Sequence, residues 1–262
     1  MGTDTGRTTR SDPRRDRTGA VDAELARRLG DLARTLQGET DVQGTLEAMV
    51  RAAVELIPGV VEASISVARR HRGIESRAAS GPLPRRVDRL QQDTGEGPCM
   101  DAAYEERIVH APDFRHEDRW PRFAPAALEA GATSMLAFQL YTDGDILGAL
   151  NVYGADFAAF TDESEEIGLL VAAHAAVAFA DAQQVGHLHE ALATRDLIGQ
   201  AKGVLMERFK ITPQQAFVLL TTASSQTNTK LRDVAERLTT TGVLGRRDVR
   251  SAAGEDPDHS RN

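Results

Sequence analysis

The sequence predicts an α+β protein: an antiparallel sheet flanked by helices, then a long connector helix, then a small all-α module of three helices. Three observations carry this expectation. Two apolar runs, SMLAFQLY and ILGALNVYG, meet near Asp143-Gly144, a strong signal for a tight hairpin turn. No proline interrupts the chain between Glu163 and Arg208, so one helix can run that whole distance. Beyond it come three short segments whose apolar residues recur at helical spacing.

Taken in order, the opening MGTDTGRTTRSDPRRDRTGA has neither an apolar core nor a cleavage site, so residues 1–20 read as a disordered basic tail and not a secretion signal. VDAELARRLGDLARTLQGETDVQGTLEAMVRAAVELIPG predicts two helices broken near Gly38, with Leu46, Met49, Val50, Val54 and Ile57 on the core face and Pro58-Gly59 as the stop. VVEASISVAR alternates as a strand does, and GIESRAAS is its expected hairpin partner. A polar helix, PRRVDRLQQ, leads to a second that starts at Pro98, where the ring suits the first helical position. RIVHA is a short strand, and WPRFAPAALEAG a helix ended by Gly131.

The long helix starts near Thr161-Asp162. Along it Ile167, His174, Asp181 and Leu188 fall seven apart, as do Val171, Ala178, Val185 and Leu192, the spacing of a heptad seam. Its first half, residues 163–180, is expected to pack on the sheet. QQVGHLHEALATRD is too polar for a core, and a coiled-coil connector between two protomers accounts for it better.

Composition narrows the class. With 262 residues, 41% hydrophobic and 27% charged, the chain has the make-up of a soluble globular protein. No run of about 18 apolar residues marks a membrane span. The lone Cys99 permits no intrachain disulfide, and a reducing cytoplasm is the expected setting. The net charge of -8 is unevenly spread: +2 over residues 1–20, -12 over 21–187, +4 over 188–250 and -2 over the last twelve residues. An acidic body thus precedes a basic module, and only the module is suited to meet a polyanion.

Signals for catalysis are poor. Ser164, His174 and Asp181 share a helix without the geometry of a nucleophile and its base, and no nucleophile elbow, phosphate-cradling glycine loop or His-Glu-x-x-His metal motif is present. The seven histidines are scattered; the nearest pair, His187 and His189, would diverge on a helix. No metal or enzymatic activity is expected. Cys99 sits where the first turn of a helix would favour a thiolate. Glu96 and Asp101 would oppose that, and a small buried apolar role is the ordinary alternative.

The C-terminal segment is the most informative. The chain has twenty-eight arginines and three lysines, and Lys202, Lys210 and Lys230 all fall between residues 200 and 230. LIGQAKGVLMERF predicts a helix with Leu197, Ile198, Ala201, Val204, Leu205 and Phe209 on its apolar face. Gly199 and Gly203 leave a second strip without side chains, at about 1 kcal/mol each against alanine, so something must approach that strip closely. Another helix is the favoured occupant, with a nucleic-acid backbone as the alternative. Thr212, Pro213 and Gln215 form the start of helix two, with Ala216, Phe217, Leu219, Leu220 and Ala223 as its buried stripe. Helix three is expected to be capped by Asn228 or Thr227, to bury Leu231, Val234, Ala235 and Leu238, and to end at Gly242. Lys230 in its first turn opposes the helix dipole unless an anion binds there.

Ala201-Lys202-Gly203-Val204-Leu205-Met206, Ala216-Phe217, Leu220, Ser225-Gln226, Asn228 and Lys230 to Ala235 together resemble the signature of ANTAR domains, three-helix RNA-binding antitermination modules. DTGEGPCMDA, RWPRFAPAALEAG and the hairpin ahead of a long helix are similar to the GAF domain of GAF–ANTAR regulators. The resemblance implies a GAF-like sensor over 21–182, a helical connector over 183–193, an ANTAR domain over 194–245 and a disordered tail over 246–262. It implies a cytoplasmic, signal-responsive antiterminator that binds paired hairpins in a nascent transcript as a homodimer joined through the connector. Lys202, Arg208, Lys230, Arg232 and Arg237 would contact RNA, while Ala201, Gly203, Met206, Ala216, Phe217 and Asn228 would shape the module. Thr221 departs from the family, which often has a basic residue there. No cofactor is specified, and the GAF pocket would take an unidentified small-molecule ligand. A protein-interaction regulator that docks a partner helix on the Gly199/Gly203 strip stands as the alternative.

Overall fold

In the N-terminal part, alternation along the strands builds two cores from one sheet. The computed structural model describes residues 13–39, 41–69, 73–142 and 145–244. Helices α1 (Pro13–Gly38) and α2 (Val42–Leu56) come first. Strands β1 (Val60–Arg69) and β2 (Gly73–Ala79) follow, then helices α3 (Pro82–Thr94) and α4 (Pro98–Tyr104) and strand β3 (Ile108–Ala111). Helix α5 (Phe123–Glu129), strands β4 (Ser134–Tyr141) and β5 (Ile146–Gly154) and the 48-residue helix α6 (Asp162–Phe209) complete this part. The sheet runs β2-β1-β5-β4-β3, with every neighbouring pair antiparallel.

Along β4, Leu136, Phe138 and Leu140 face one core, which α1, α2 and the start of α6 cover. Met135 and Ala137 face the other, under α3, α4 and α5. A period of two on one strand thus supplies both faces. The expected inward residues of α2 behave accordingly: Leu46, Met49, Val50 and Ile57 are buried and Val54 packs at the edge. Ile167 and Val171 of α6 join the same core, so the first half of the long helix does pack on the sheet.

Helix α2 is capped by the Asp41 side chain, which accepts from the Gly44 N–H at 2.9 Å. Close approach requires glycine at residue 148, where φ is 151° and a Cβ would lie 2.0 Å from the Ser66 carbonyl oxygen of β1. No other residue fits there.

One expectation changes. Helix α1 begins at Pro13, inside the segment expected to be a tail, because proline's fixed φ suits a first helical position and nothing after it interrupts the helix. Residues 1–12 and 245–262, which include the rest of both expected tails, lie outside the described residues, as does the Asp143-Gly144 turn. The strands that flank this turn pair as foreseen, down to Tyr141 opposite Ile146. Among the described residues no helix is long and apolar enough to cross a membrane.

The second core holds a buried polar group that the sequence did not announce. Asp88 of α3 is fully buried. Its carboxylate accepts from Ser76 Oγ at 2.6 Å, Ser64 Oγ at 3.1 Å, and Tyr153 OH and Asn151 Nδ2 at 3.3 Å each. Burial pushes its pKa from 3.8 up to about 6, against the lowering effect of the Ser76, Ser64, Tyr153 and Ser66 hydroxyls. Beside it Cys99 is also fully buried, and desolvation together with the Asp88 charge pushes its thiol up to about 12. The small buried role therefore describes Cys99 and the thiolate role does not.

Because native Asp88 keeps its proton to higher pH than the unfolded chain does, protonation favours the fold. That stabilisation is complete below about pH 4 and lost as pH rises through about 6. Wild type should therefore lose roughly 2–3 kcal/mol relative to Asp88→Asn between about pH 4 and about pH 7.5, read from urea unfolding at each pH.

Candidate nucleic-acid interface

The chain divides into residues 1–184 and 185–262. The second unit contains the end of α6, then α7 (Pro213–Thr227) and α8 (Leu231–Thr241). Each boundary has a local cause. Lys210, at φ 52°, ends α6 and pairs with Glu207. Thr212 opens α7 with the full capping box: its hydroxyl accepts from the Gln215 N–H, and the Gln215 side chain accepts from the Thr212 N–H at 2.9 Å. Gly242, at φ 71°, closes α8 in the left-handed region.

One small core holds the three helices together. Ala201 and Leu205 of α6, Ala216, Leu220 and Ala223 of α7, and Val234, Ala235 and Leu238 of α8 are all fully buried, with Leu244 beneath them. Leu197, Ile198, Val204, Met206, Phe209, Leu219 and Leu231 pack around its edge.

Three details differ from the sequence reading. Phe217 is not buried; it remains 42% exposed. Ala216, Leu220 and Ala223 already form the inward line of α7, and Phe217 lies about 100° round the helix from Ala216. Asn228 does not cap helix three. It closes α7 in the left-handed conformation, at φ 49°, which asparagine tolerates. Helix α7 therefore includes Thr227, and Lys230 takes the N-cap position of α8 with no side-chain cap of its own. Finally, among the described residues no helix covers the glycine strip: a Cβ at Gly199 or Gly203 would meet nothing within 4 Å.

An open groove of about 710 Å³ runs beside this strip, lined by His187, Glu190, Arg195, Gly199, Lys202 and Phe217 among others. Arg232 of α8 reaches its rim, where Nη1 lies 2.9 Å from Glu190 Oε1. This pair is exposed on both sides, so it positions the arginine more than it stabilises the fold. Lys202, Lys230, Arg195 and Arg237 form no ion pair with a described residue, and their charge is available to a ligand.

The expected RNA-contacting residues thus separate. Lys202 lines the groove and Arg232 stands at its rim, with Lys230 two residues away. Arg208 instead donates from Nη1 to the Gly242 carbonyl at 2.5 Å and ties α6 to the end of α8. Arg237, in the body of α8, is exposed. Thr221, at the position of the family departure, turns its hydroxyl back onto the Phe217 and Val218 carbonyls at 3.1 and 3.0 Å. Sequence reasoning missed Arg195, although it lies seven residues, two helical turns, before Lys202 on the same helix.

The connector stretch of α6 exposes its apolar residues: Val185 by 46%, Leu188 by 58% and Leu192 by 57%. These are the seam positions that spacing had picked out, and in one chain they have no cover. Among the described residues no cluster of three or more His, Cys, Asp or Glu side chains could hold a metal.

Comparisons with known proteins agree with this division. Residues 39–180 match the GAF domain family and residues 186–238 the ANTAR domain family, in that order. No curated protein matches the chain. Among solved structures, the GAF domain of a phosphoenolpyruvate-protein phosphotransferase from Coxiella burnetii superposes with a TM-score of 0.51 at 18% identity, covering 62% of this chain and 96% of that one. The free methionine-R-sulfoxide reductase of Neisseria meningitidis gives 0.50 at 17%, covering 68% and 96%. At such identities the likeness establishes the fold alone.

Alanine at residue 199 or 203 adds a methyl group into open space and removes glycine's backbone entropy. Gly199→Ala and Gly203→Ala should each stabilise the C-terminal unit by about 0.5–1 kcal/mol in chemical denaturation.

Proposed function

Because the chain belongs to the GAF domain family and carries an ANTAR domain behind it, we propose that it is a signal-responsive transcription antiterminator that binds paired hairpins of a nascent transcript in the cytoplasm. GAF domains sense signals and ANTAR domains bind RNA. The finer reading is supported by one observation above the others. Lys202 and Arg195 line an open groove of the ANTAR unit, Arg232 is held on Glu190 of its wall, and Lys230 stands two residues before Arg232 at an uncapped helix start. Lys202, Arg195 and Lys230, which have no ion-pair partner among the described residues, together with Arg232 in its exposed pair with Glu190 and the uncapped start of α8, suit a phosphate track.

RNA hairpin loops present unstacked bases and closely spaced phosphates, so a small helical face is enough to grip one. A single module of this size binds weakly. Two modules joined through the exposed Val185, Leu188 and Leu192 seam would meet two hairpins, and the first contact would raise the effective concentration of the second. The sensor acts by changing how the connector helices pair. Its input is a small molecule. The buried group around Asp88, where Gln91 Nε2 and Asn151 Oδ1 have no hydrogen-bond partner, is where such a signal would be felt.

The Lys230→Glu/Arg232→Glu double variant should lose binding to a two-hairpin RNA while keeping its circular dichroism and melting temperature, since both side chains are exposed. For wild type, log affinity should fall linearly with log salt concentration, with a slope of about -2 to -3 for three or four phosphate contacts. A double variant that binds the hairpins as wild type does refutes the assignment.

Leu188→Lys/Leu192→Lys should convert a sedimenting dimer to monomer and weaken two-hairpin binding far more than single-hairpin binding.

A further inference from the structure

We propose that the groove between α6 and α7 seats an unpaired nucleobase stacked on Phe217, with Arg195 and Lys202 on the phosphates to either side; this rests on the RNA-binding reading above and specifies what part of the RNA is recognised. The ring of Phe217 is 42% exposed in a unit whose fully buried side chains are alanine, valine and leucine, and it lines the groove. Part of that ring's apolar surface is left to solvent, where burial against a flat partner would be favourable. An aromatic face held at the mouth of a basic groove is what a base stacks upon.

The other lining residues fit the same occupant. Gly199 forms a floor without a side chain, and the space above its Cα is empty to 4 Å. Arg195 and Lys202 are two turns apart, about 10 Å along the axis, so one cation reaches either side of an inserted base. Glu190 uses Oε1 for Arg232 and keeps Oε2 as an acceptor for an amino group on the base edge. Thr194 adds a hydroxyl and His187 an imidazole to the same wall. A paired stem offers no free base, so this site selects loops.

A second copy of the chain is the competing occupant. Arg195 and Lys202 fall seven and fourteen residues after Leu188, so a parallel seam continued into the groove would set each of them against the same residue of the second copy, and like charges oppose that contact.

The test uses the full chain and a two-hairpin RNA with 2-aminopurine in one loop. Wild type should change the probe's fluorescence on binding. Phe217→Ala should abolish that change and weaken binding about tenfold or more, while Phe217→Tyr restores both. Binding to a fully paired duplex of equal charge should be the same for all three. Circular dichroism confirms that the variants fold, as expected for an exposed position. Equal weakening on hairpin and duplex, or no weakening on either, overturns the base seat while the loss of binding in Lys230→Glu/Arg232→Glu still upholds RNA recognition. If Phe217→Ala dissociates the dimer and leaves hairpin affinity unchanged, the groove is an interface between copies and the inference fails. Wild type that binds no RNA removes both readings together.

Discussion

Helix α6 must satisfy three different surroundings with one unbroken backbone, and the character of each part follows from that demand. Its first turns contribute Ile167, Val171, Ala175 and Phe179 to a core shared with the sheet. Its last turns contribute Ala201 and Leu205 to a second core with α7 and α8. Between them, Val185, Leu188 and Leu192 have apolar side chains and nothing of their own chain to cover them. A helix that is apolar where it is buried and also apolar where it is bare is built for a neighbour. This helix shows no single amphipathic stripe over its length.

The two cores spend their polar residues differently. Among the described residues of the C-terminal unit every fully buried side chain is apolar, alanine, valine or leucine. In the sheet unit, Ser64, Ser66, Asp88, Gln91 and Asn151 are sealed under α3 and α4. A buried carboxylate surrounded by hydroxyl and amide donors, with no cation near it, costs stability that an apolar core would not. It does, however, make that core responsive to anything that changes the number of donors or the charge within it.

Much of the architecture was legible because it rests on local chemistry. Pro58-Gly59, Pro98, the Thr212–Gln215 capping box and Gly242 each mark an element boundary by a backbone requirement that one or two residues reveal. The long helix was legible from the lack of proline. What escaped depended on which neighbour won a place. Phe217 and Ala216 are equally apolar to a periodicity argument, and only the dimensions of the three-helix core decide that alanine goes in and phenylalanine stays out. Asn228 carries both a helix-starting and a helix-ending preference, and the reach of α7 selected the second. The Asp88 group could not be foreseen, since the partners of this α3 residue come from β1, β2 and β5, up to 65 residues away in sequence. The lysine cluster, by contrast, was visible by counting, yet its sorting into Lys202 at the groove and Lys210 at a helix end was not.

The sealed position of Cys99 has a practical corollary. Thiol reagents attack the thiolate, and a fully buried sulfur whose pKa stands at about 12 supplies almost none at neutral pH. A cysteine engineered at an exposed position of α6, α7 or α8 will therefore take up a spin label or dye alone, with the native residue left in place. Distances between such labels on two protomers can then be followed while the sensor is challenged with candidate metabolites, in a protein that needs no prior removal of its own thiol.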